Sequence, residues 1–255
     1  MDVRLLGPLE AEVDGVSVVP SAGKPRQLFA LLALNADRVL TVPVLMEEIW
    51  GEAIPRSAAT TLQTYVLQLR RRISAATGGH ARGVLVTRPG GYLLEVQPGQ
   101  IDVDDFDRLA GAGRAAADRG DARAASDLFG RALAQWRGPA LVDVRLGGLL
   151  ELEVLRLSED RLAVLERRIA ADLTLGRHAE LVPELRVLVA RHPMHENFCA
   201  QLMVALWRSG AAWRALEAYQ RLRTTLVTDL GLEPSGRLRR LQHAILVGDG
   251  EKTAT

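Results

Sequence analysis

The sequence is poor in several features that would indicate other classes of protein. It contains one cysteine, Cys199, so no internal disulfide can form, which fits a reducing compartment. No run approaches the roughly 18 apolar residues of a membrane-spanning helix. The opening residues MDVRLLGPLE lack the basic start and apolar core of a secretory signal. We therefore expect a cytoplasmic protein without a membrane partner.

Carboxylates are missing from one long stretch of the chain. Residues 53–94, the 42 positions between Glu52 and Glu95, contain six arginines and no Asp or Glu. The whole chain is balanced, with 32 Lys and Arg against 31 Asp and Glu, so this stretch is a local feature. Only two of the basic residues are lysines, so the chain uses arginine in preference to lysine throughout. A single arginine is therefore weak evidence for contact with DNA. A surface without carboxylates suits contact with DNA, because a carboxylate there would face phosphates.

The N-terminal part of the chain predicts strands, then three helices, then a hairpin. VRLLG, LEAEV and VSVV are short and rich in branched residues, and Asp14-Gly15 predicts a tight turn between the last two. Three helical patterns follow, in LFALLALNA, in VPVLMEEIW after the possible cap Thr41, and over 58–76 after the possible cap Ser57. GVLVT and YLLEV, joined through residues 88–91, predict a hairpin with a type II turn.

Almost everything after residue 97 predicts helix. Gly176 and Gly210, each followed by a helical segment, are 34 residues apart, which is the tetratricopeptide period of one helix–turn–helix unit. An ordinary helical bundle is the alternative explanation of this one interval. We therefore predict an α+β DNA-binding domain over 1–97, an all-α domain similar to tetratricopeptide repeats over 98–247, and a disordered tail over 248–255.

The third predicted helix has an apolar face and a polar face. One stripe of the helical wheel is apolar and is expected to face the core: Leu62, Tyr65, Val66, Leu69 and Ile73. The rest of the surface carries the polar groups together with Leu67: Thr60, Thr61, Gln63, Thr64, Gln68, Arg70, Arg71 and Arg72. Amides, hydroxyls and guanidinium groups can contact base edges and phosphates, so we predict a helix that enters the DNA major groove. The alternative is a solvated surface helix whose arginines favour its C-terminal dipole.

Two further sets of basic residues fit the same interpretation. Arg88 lies at the tip of the predicted hairpin and Arg82 before it, as in a wing that reaches the DNA backbone. Lys24 and Arg26 lie at the start of the first helix, whose N-terminus could hold a phosphate with them. For each of these residues, plain solvation is the alternative.

These motifs in this order resemble a known family. GKPRQLFALLALNADRVLTVPVLMEEIWGE, SAATTLQTYVLQLRRRI and VLVTRPGGYLL together resemble a winged helix-turn-helix of the OmpR type, the effector domain of many two-component regulators. ALAQWRGPALVDV and the run from ARHPMHENF to LQHAIL are similar to the bacterial transcriptional activation domain. Over roughly residues 3–247 the chain resembles the Streptomyces antibiotic regulatory protein (SARP) family. No receiver domain precedes the DNA-binding part, so a small, stand-alone member is expected.

The resemblance implies a mostly α fold and an activator that binds direct DNA repeats near promoters and recruits RNA polymerase through its sigma and alpha subunits. It also implies control of an antibiotic or other secondary-metabolite gene cluster. Family alignment places groove contacts on six positions and a wing contact on one: Thr61, Thr64, Tyr65, Gln68, Arg70, Arg71 and Arg88. The loop before the third helix corresponds to the family's polymerase-facing segment, here Glu52, Ile54, Pro55 and Arg56. Because paired helices commonly build protein-binding surfaces, we also predict a homodimer, at least on DNA.

Two segments resemble motifs of enzymes but lack the required context or spacing. Gly111-Ala-Gly113-Arg-Ala-Ala116 resembles a dinucleotide fingerprint, but an amphipathic helix rather than a strand precedes it. HPMHE has neither of the zincin spacings, and no catalytic triad or paired carboxylate site stands out. We expect no enzyme, catalytic residue, metal or cofactor. The competing hypothesis is a helical-repeat scaffold whose N-terminal half does not bind DNA.

Overall fold

The computed structural model describes residues 1–77 and 84–248. The predicted stop of the third helix at Gly78-Gly79, Arg82 and the tail from residue 249 onward lie outside the described residues. Two compact units are present, the first made of Met1–Gly111 with Arg131–Ala163, the second of Ala112–Gly130 with the chain from Val164 onward. The predicted boundary between residues 97 and 98 stays a prediction.

A small antiparallel sheet opens the first unit. Its strands are β1 (Asp2–Arg4), β2 (Glu10–Val13) and β3 (Val16–Ser17), in that order. Asp14 and Gly15 both have positive φ, 51° and 78°, as a two-residue type I′ turn requires. The hairpin predicted from Asp-Gly is therefore confirmed.

Three helices follow the sheet, as the periodicity predicts. They are α1 (Gly23–Leu34), α2 (Val42–Trp50) and α3 (Ala58–Ala76). The first helix is buried on most of its surface, with Leu28, Phe29 and Leu31 in the core. Thr41 and Ser57 occupy the N-cap positions of α2 and α3, but neither side chain forms the predicted capping hydrogen bond.

A second sheet carries the predicted hairpin and one strand that sequence patterns did not indicate. Its strands are β4 (Leu40–Thr41), β5 (Leu85–Arg88) and β6 (Gly91–Leu94), in the order β4-β6-β5. Gly90 has φ +79°, as the third position of a type II turn requires. A Cβ atom at Gly91 would lie 2.1 Å from the Leu40 carbonyl oxygen, so close pairing of β4 with β6 requires glycine there.

Helical structure follows the second sheet. The first three helices are α4 (Asp102–Asp118), α5 (Ala122–Leu133) and α6 (Gly148–Thr174). The decoy glycine Gly113 lies on α4, where an added Cβ would meet the Phe129 ring of α5 at 2.6 Å. The glycine therefore permits close helix packing, which explains the false dinucleotide motif in structural terms.

Carboxylates beyond residue 98 hold the winged part within the first unit. Asp102, which is buried, accepts hydrogen bonds from the amide nitrogens of Leu5 and Leu6 at 2.8–2.9 Å. Burial raises the pKa of this carboxyl, while the Leu5 and Leu6 amides and the Arg137 charge oppose that shift. Arg137 itself donates to the Pro8 carbonyl at 3.0 Å.

The buried Glu48 of α2 caps α6. Its carboxylate accepts hydrogen bonds from the amides of Gly147 and Leu149, both at 2.8 Å, and more weakly from Leu150 at 3.4 Å. These are amides at the helix start that have no intrahelical acceptor, and the negative charge also favours the positive end of the helix dipole. Gln27 completes the site by donating to Glu48 Oε1 at 3.2 Å.

The second unit continues as paired helices, which agrees with the predicted fold class. They are α7 (His178–Arg191), α8 (Glu196–Arg208), α9 (Ala212–Leu230) and α10 (Gly236–Val247). Gly176 and Gly210 have φ of +78° and +81°, and each accompanies the same pair of hydrogen bonds. Gly176 N donates to Leu173 O while Arg177 N donates to Asp172 O, and Gly210 and its successor repeat this Schellman pattern. The 34-residue interval thus reflects a repeated helix ending.

No helix in residues 1–77 or 84–248 combines the length and apolarity needed to cross a membrane.

Candidate nucleic-acid interface

The helix α3 has the two faces that its sequence predicts. Leu62, Val66, Leu69 and Ile73 are buried, and they fix the orientation of the helix in the first unit. The opposite side is open to solvent, with these exposed side chains: Thr60, Gln63, Thr64, Leu67, Gln68, Arg71 and Arg72. A helix held by its apolar stripe therefore presents a continuous surface of amides, hydroxyls and guanidinium groups.

The threonine hydroxyls of α3 are oriented by the helix itself. Thr61 Oγ1 donates to the Ser57 carbonyl at 2.9 Å, and Thr64 Oγ1 donates to the Thr60 carbonyl at 3.1 Å. Each hydroxyl has used its proton and keeps its lone pairs as acceptors. Such oxygens match the amino groups that adenine and cytosine present in the major groove. Thr61 is half-buried, whereas Thr64 is exposed.

The three consecutive arginines have three different environments. Arg70 is half-buried and donates to the Leu85 carbonyl at 2.9 Å and to Thr87 Oγ1 at 2.7 Å, so it joins α3 to the hairpin. Arg72 is exposed and reaches the Val19 carbonyl at 3.5 Å. Within the described ranges, Arg71 forms no hydrogen bond or ion pair, and none of the three pairs with a carboxylate.

A cleft of ≈ 330 Å³ lies beside Arg71. It is lined by Gln68, Arg71 and Arg72 of α3 and by residues 20–22 and Pro25 at the start of α1. The N-cap residue Ala22 supplies no side-chain cap, and the first turn of α1 contains no acidic residue. Two arginines and the positive end of the α1 dipole thus border one opening, an arrangement that suits phosphate oxygens.

An aromatic pair supports this edge of the surface. Tyr65 of α3 stacks on Trp50 at a centroid distance of 6.2 Å and an interplanar angle of 14°. The Lys24 ammonium lies 5.0 Å from the centroid of the same Trp50 ring. Tyr65 is half-buried, between the core position that the wheel gives it and the groove position that the resemblance implies. Sequence reasoning missed Trp50, since nothing local to it indicates a partner 15 residues further along the chain.

The structure places two predicted contact residues in ion pairs. Arg26 bonds to Asp143 and, at 3.2 Å, to the Leu9 carbonyl, so its guanidinium lies against its own chain. Arg88 pairs with Glu95 at 2.9 Å across the hairpin, and both side chains are exposed. Exposed pairs of this kind contribute about 0–1 kcal/mol, so phosphate can replace Glu95 as the partner of Arg88. Arg26 is 20% exposed and has no such freedom.

The loop between α2 and α3 is open to solvent along its length. Glu52, Ile54, Pro55 and Arg56 are all exposed, and 46% of the Ile54 surface is accessible. An apolar side chain in an exposed loop is available to a protein partner. No cluster of three or more His, Cys, Asp or Glu side chains suited to a metal ion occurs in the part of the chain that the structure describes.

Comparison with known proteins gives matches along nearly the whole chain. The family model described as "Transcriptional regulatory protein, C terminal" matches residues 17–94, and "Bacterial transcriptional activator domain" matches residues 101–246. The chain is 56% identical over 253 residues to Regulatory protein DnrI of Streptomyces peucetius. This match covers 98% of this chain and 93% of DnrI. It is 35% identical to Transcriptional regulator RedD of Streptomyces coelicolor, covering 98% of this chain and 71% of RedD.

A solved structure has the same architecture. Mycobacterium tuberculosis EmbR in complex with a low affinity phosphopeptide matches with a TM-score of 0.91 and 35% sequence identity. The match covers 97% of this chain and 65% of that chain.

Proposed function

Because the chain belongs to the SARP family of transcriptional activators, we propose that its α3 helix enters the DNA major groove and determines which promoters are activated. The observation that carries the proposal is the exposed face of α3, which has amides, hydroxyls and no carboxylate, and whose Arg71 has no partner among residues 1–77 and 84–248. Anions are absent from this face because each would be repelled by phosphates.

The contacts divide by chemistry into base contacts and phosphate contacts. Thr60, Thr61, Thr64 and Gln68 contact base edges, since their amide and hydroxyl groups match groove donors and acceptors. Charged groups contact the backbone, Arg71 and Arg72 from the cleft, Lys24 from the start of α1 and Arg88 from the hairpin tip. Arg70 and Tyr65 support the surface through their bonds to the hairpin and Trp50. We leave Arg26 out of the interface because Asp143 holds it.

The family resemblance supports proposals on finer features of the function. We propose that the protein binds direct repeats as a homodimer and is a cytoplasmic protein without catalytic activity. The loop of Glu52, Ile54, Pro55 and Arg56 meets RNA polymerase at its sigma and alpha subunits, and its exposure supports that role. The regulated genes belong to an antibiotic or other secondary-metabolite cluster. Footprinting of the promoters beside the native gene tests the direct repeats, and ultracentrifugation with a two-site probe tests the dimer.

A gel-shift salt series tests the DNA interface. Binding should weaken linearly on logarithmic axes with a slope near −0.9 per phosphate contact, and Arg71→Ala should reduce that slope by about one while weakening all sequences. Gln68→Ala should mainly relax sequence preference. Arg119→Ala, at an exposed arginine of the second unit, is the matched control and should leave both quantities unchanged. If neither α3 variant changed DNA binding, α3 would not be the DNA interface. That result would favour the competing hypothesis of a helical-repeat scaffold whose N-terminal half does not bind DNA.

A further inference from the structure

Leu67 is the apolar exception on the DNA-facing side of α3. It is 47% exposed, and its neighbours one helical turn away are Gln63, Thr64 and Arg71, which are exposed as well. Exposure alone is weak evidence, because seven other leucines in the described residues are also more than a third exposed. What distinguishes Leu67 is its place within an otherwise polar surface free of carboxylates.

Neither the fold nor helix formation requires leucine at this position. On a wheel of 100° per residue, Leu67 lies about 50° from the line opposite the buried stripe, so it makes no contribution to the core. Gln, Lys and Arg have helix propensities close to that of Leu, and any of them would suit the solvent better. Contact with an apolar group of a ligand would explain the leucine.

We propose that Leu67 contacts the C5-methyl group of a thymine in each operator repeat. The inference rests on the proposed function, since it needs α3 to lie in the major groove. There the methyl group of thymine is the apolar feature that distinguishes an A·T pair from the others. Leu67 would recognise that methyl group while Thr64 and Gln68 beside it hydrogen-bond to polar base edges.

Uracil interference provides the test, because uracil differs from thymine only by the missing methyl group. The operator is first selected from random duplex DNA with the full chain, and uracil is then introduced at each thymine in turn. One thymine per repeat should lose about fourfold in affinity when replaced by uracil, the value of one buried methyl-sized contact. Other thymines should show little change.

Two variants and a control assign that effect to the leucine. Leu67→Ala should bind thymine and uracil equally at the critical position, while Leu67→Met, which keeps an apolar side chain of similar size, should retain the preference. Leu152→Ala removes a leucine that is 66% exposed on α6 and should behave as the unaltered protein. Circular dichroism should show equal helix content in all four proteins, since both leucines are exposed.

The outcomes separate this inference from the function on which it rests. A thymine preference that survives Leu67→Ala, or an operator without any uracil-sensitive thymine, would overturn the role of Leu67 while leaving DNA binding intact. Loss of promoter activation with unchanged DNA affinity in Leu67→Ala would also overturn it, by assigning the leucine to a protein partner. Failure of the full chain to select any DNA sequence would instead refute the proposed function itself.

Discussion

Replacing Glu48 by alanine should destabilise the first compact unit strongly. The Glu48 carboxylate is buried and is the acceptor for the first amides of α6 at Gly147, Leu149 and Leu150, in addition to Gln27 Nε2. Removing it leaves the amides of Gly147, Leu149 and Leu150 without this acceptor and places no anion at the positive end of the helix, whereas Gln27 Nε2 keeps its 2.8 Å bond to the carbonyl of residue 48. The loss is therefore larger than that of one ordinary hydrogen bond.

The magnitude follows from the contacts. Each hydrogen bond to a charged acceptor contributes about 1.5–3 kcal/mol, and the two short, part-buried bonds at 2.8 Å carry most of the effect. Water entering the vacated space recovers part of it, so we expect a loss of about 3–5 kcal/mol in the free energy of unfolding. For a unit of this size that lowers Tm by about 6–20 °C. Glu48→Gln keeps one acceptor oxygen and should lose about half as much.

Urea denaturation followed by circular dichroism at constant pH measures this loss. Glu47→Ala is the matched control, because Glu47 is the exposed neighbour on the same helix and should change stability by less than about 0.5 kcal/mol. If Glu48→Ala loses less than about 1 kcal/mol, or no more than Glu47→Ala, the capping argument is refuted.

Three further predictions concern the hairpin and the second unit. Gly91→Ala should cost about 1–3 kcal/mol and weaken DNA binding through the displaced hairpin, measured by denaturation and gel shift, whereas Gly130→Ala, with open space around it, should not destabilise. Arg70→Ala removes two bonds to the hairpin and should speed amide exchange at residues 85–88, measured by mass spectrometry; unchanged exchange would contradict the bracing role. Burial raises the pKa of the Cys199 thiol to about 12, so Ellman's reagent at pH 8 should react only as the protein unfolds. The thiol of the unfolded chain loses its proton near pH 9, whereas the folded thiol keeps it until about pH 12. The free energy of unfolding should therefore decrease between pH 9 and 12, and this decrease should be absent in Cys199→Ala.

The local features of the fold were predictable because their causes are local. Asp14-Gly15 can form a tight turn by itself, and the apolar spacing of residues 58–76 fixes both the extent of α3 and its buried face. The exposed polar face of α3 followed from the same wheel. The bounds of α2 between Thr41 and Gly51 were right as well, although the threonine side chain forms no cap.

The features that sequence reasoning missed depend on distant partners. β4 contains two residues and exists only because Leu40 and Thr41 pair with β6, about 50 positions further along. Arg26 looks like a phosphate ligand until the fold brings Asp143 to it across 117 positions. Arg70 likewise belongs to the expected contact set, but the hairpin carbonyl at Leu85 occupies it. One-dimensional patterns show which groups are available, and the tertiary fold decides which of them remain free.

Three carboxylates of the first unit have a practical consequence for protein engineering. Asp102, Asp143 and Glu48 join the winged part to residues 98–163 by bonds that neither side can satisfy alone. A hybrid activator made by fusing only residues 1–97 to a foreign effector would lose those partners and expose the amides of Leu5, Leu6 and Leu9. A transplant that keeps its operator preference should therefore carry, together with residues 1–97, the segments that supply Asp102, Asp143 and the start of α6.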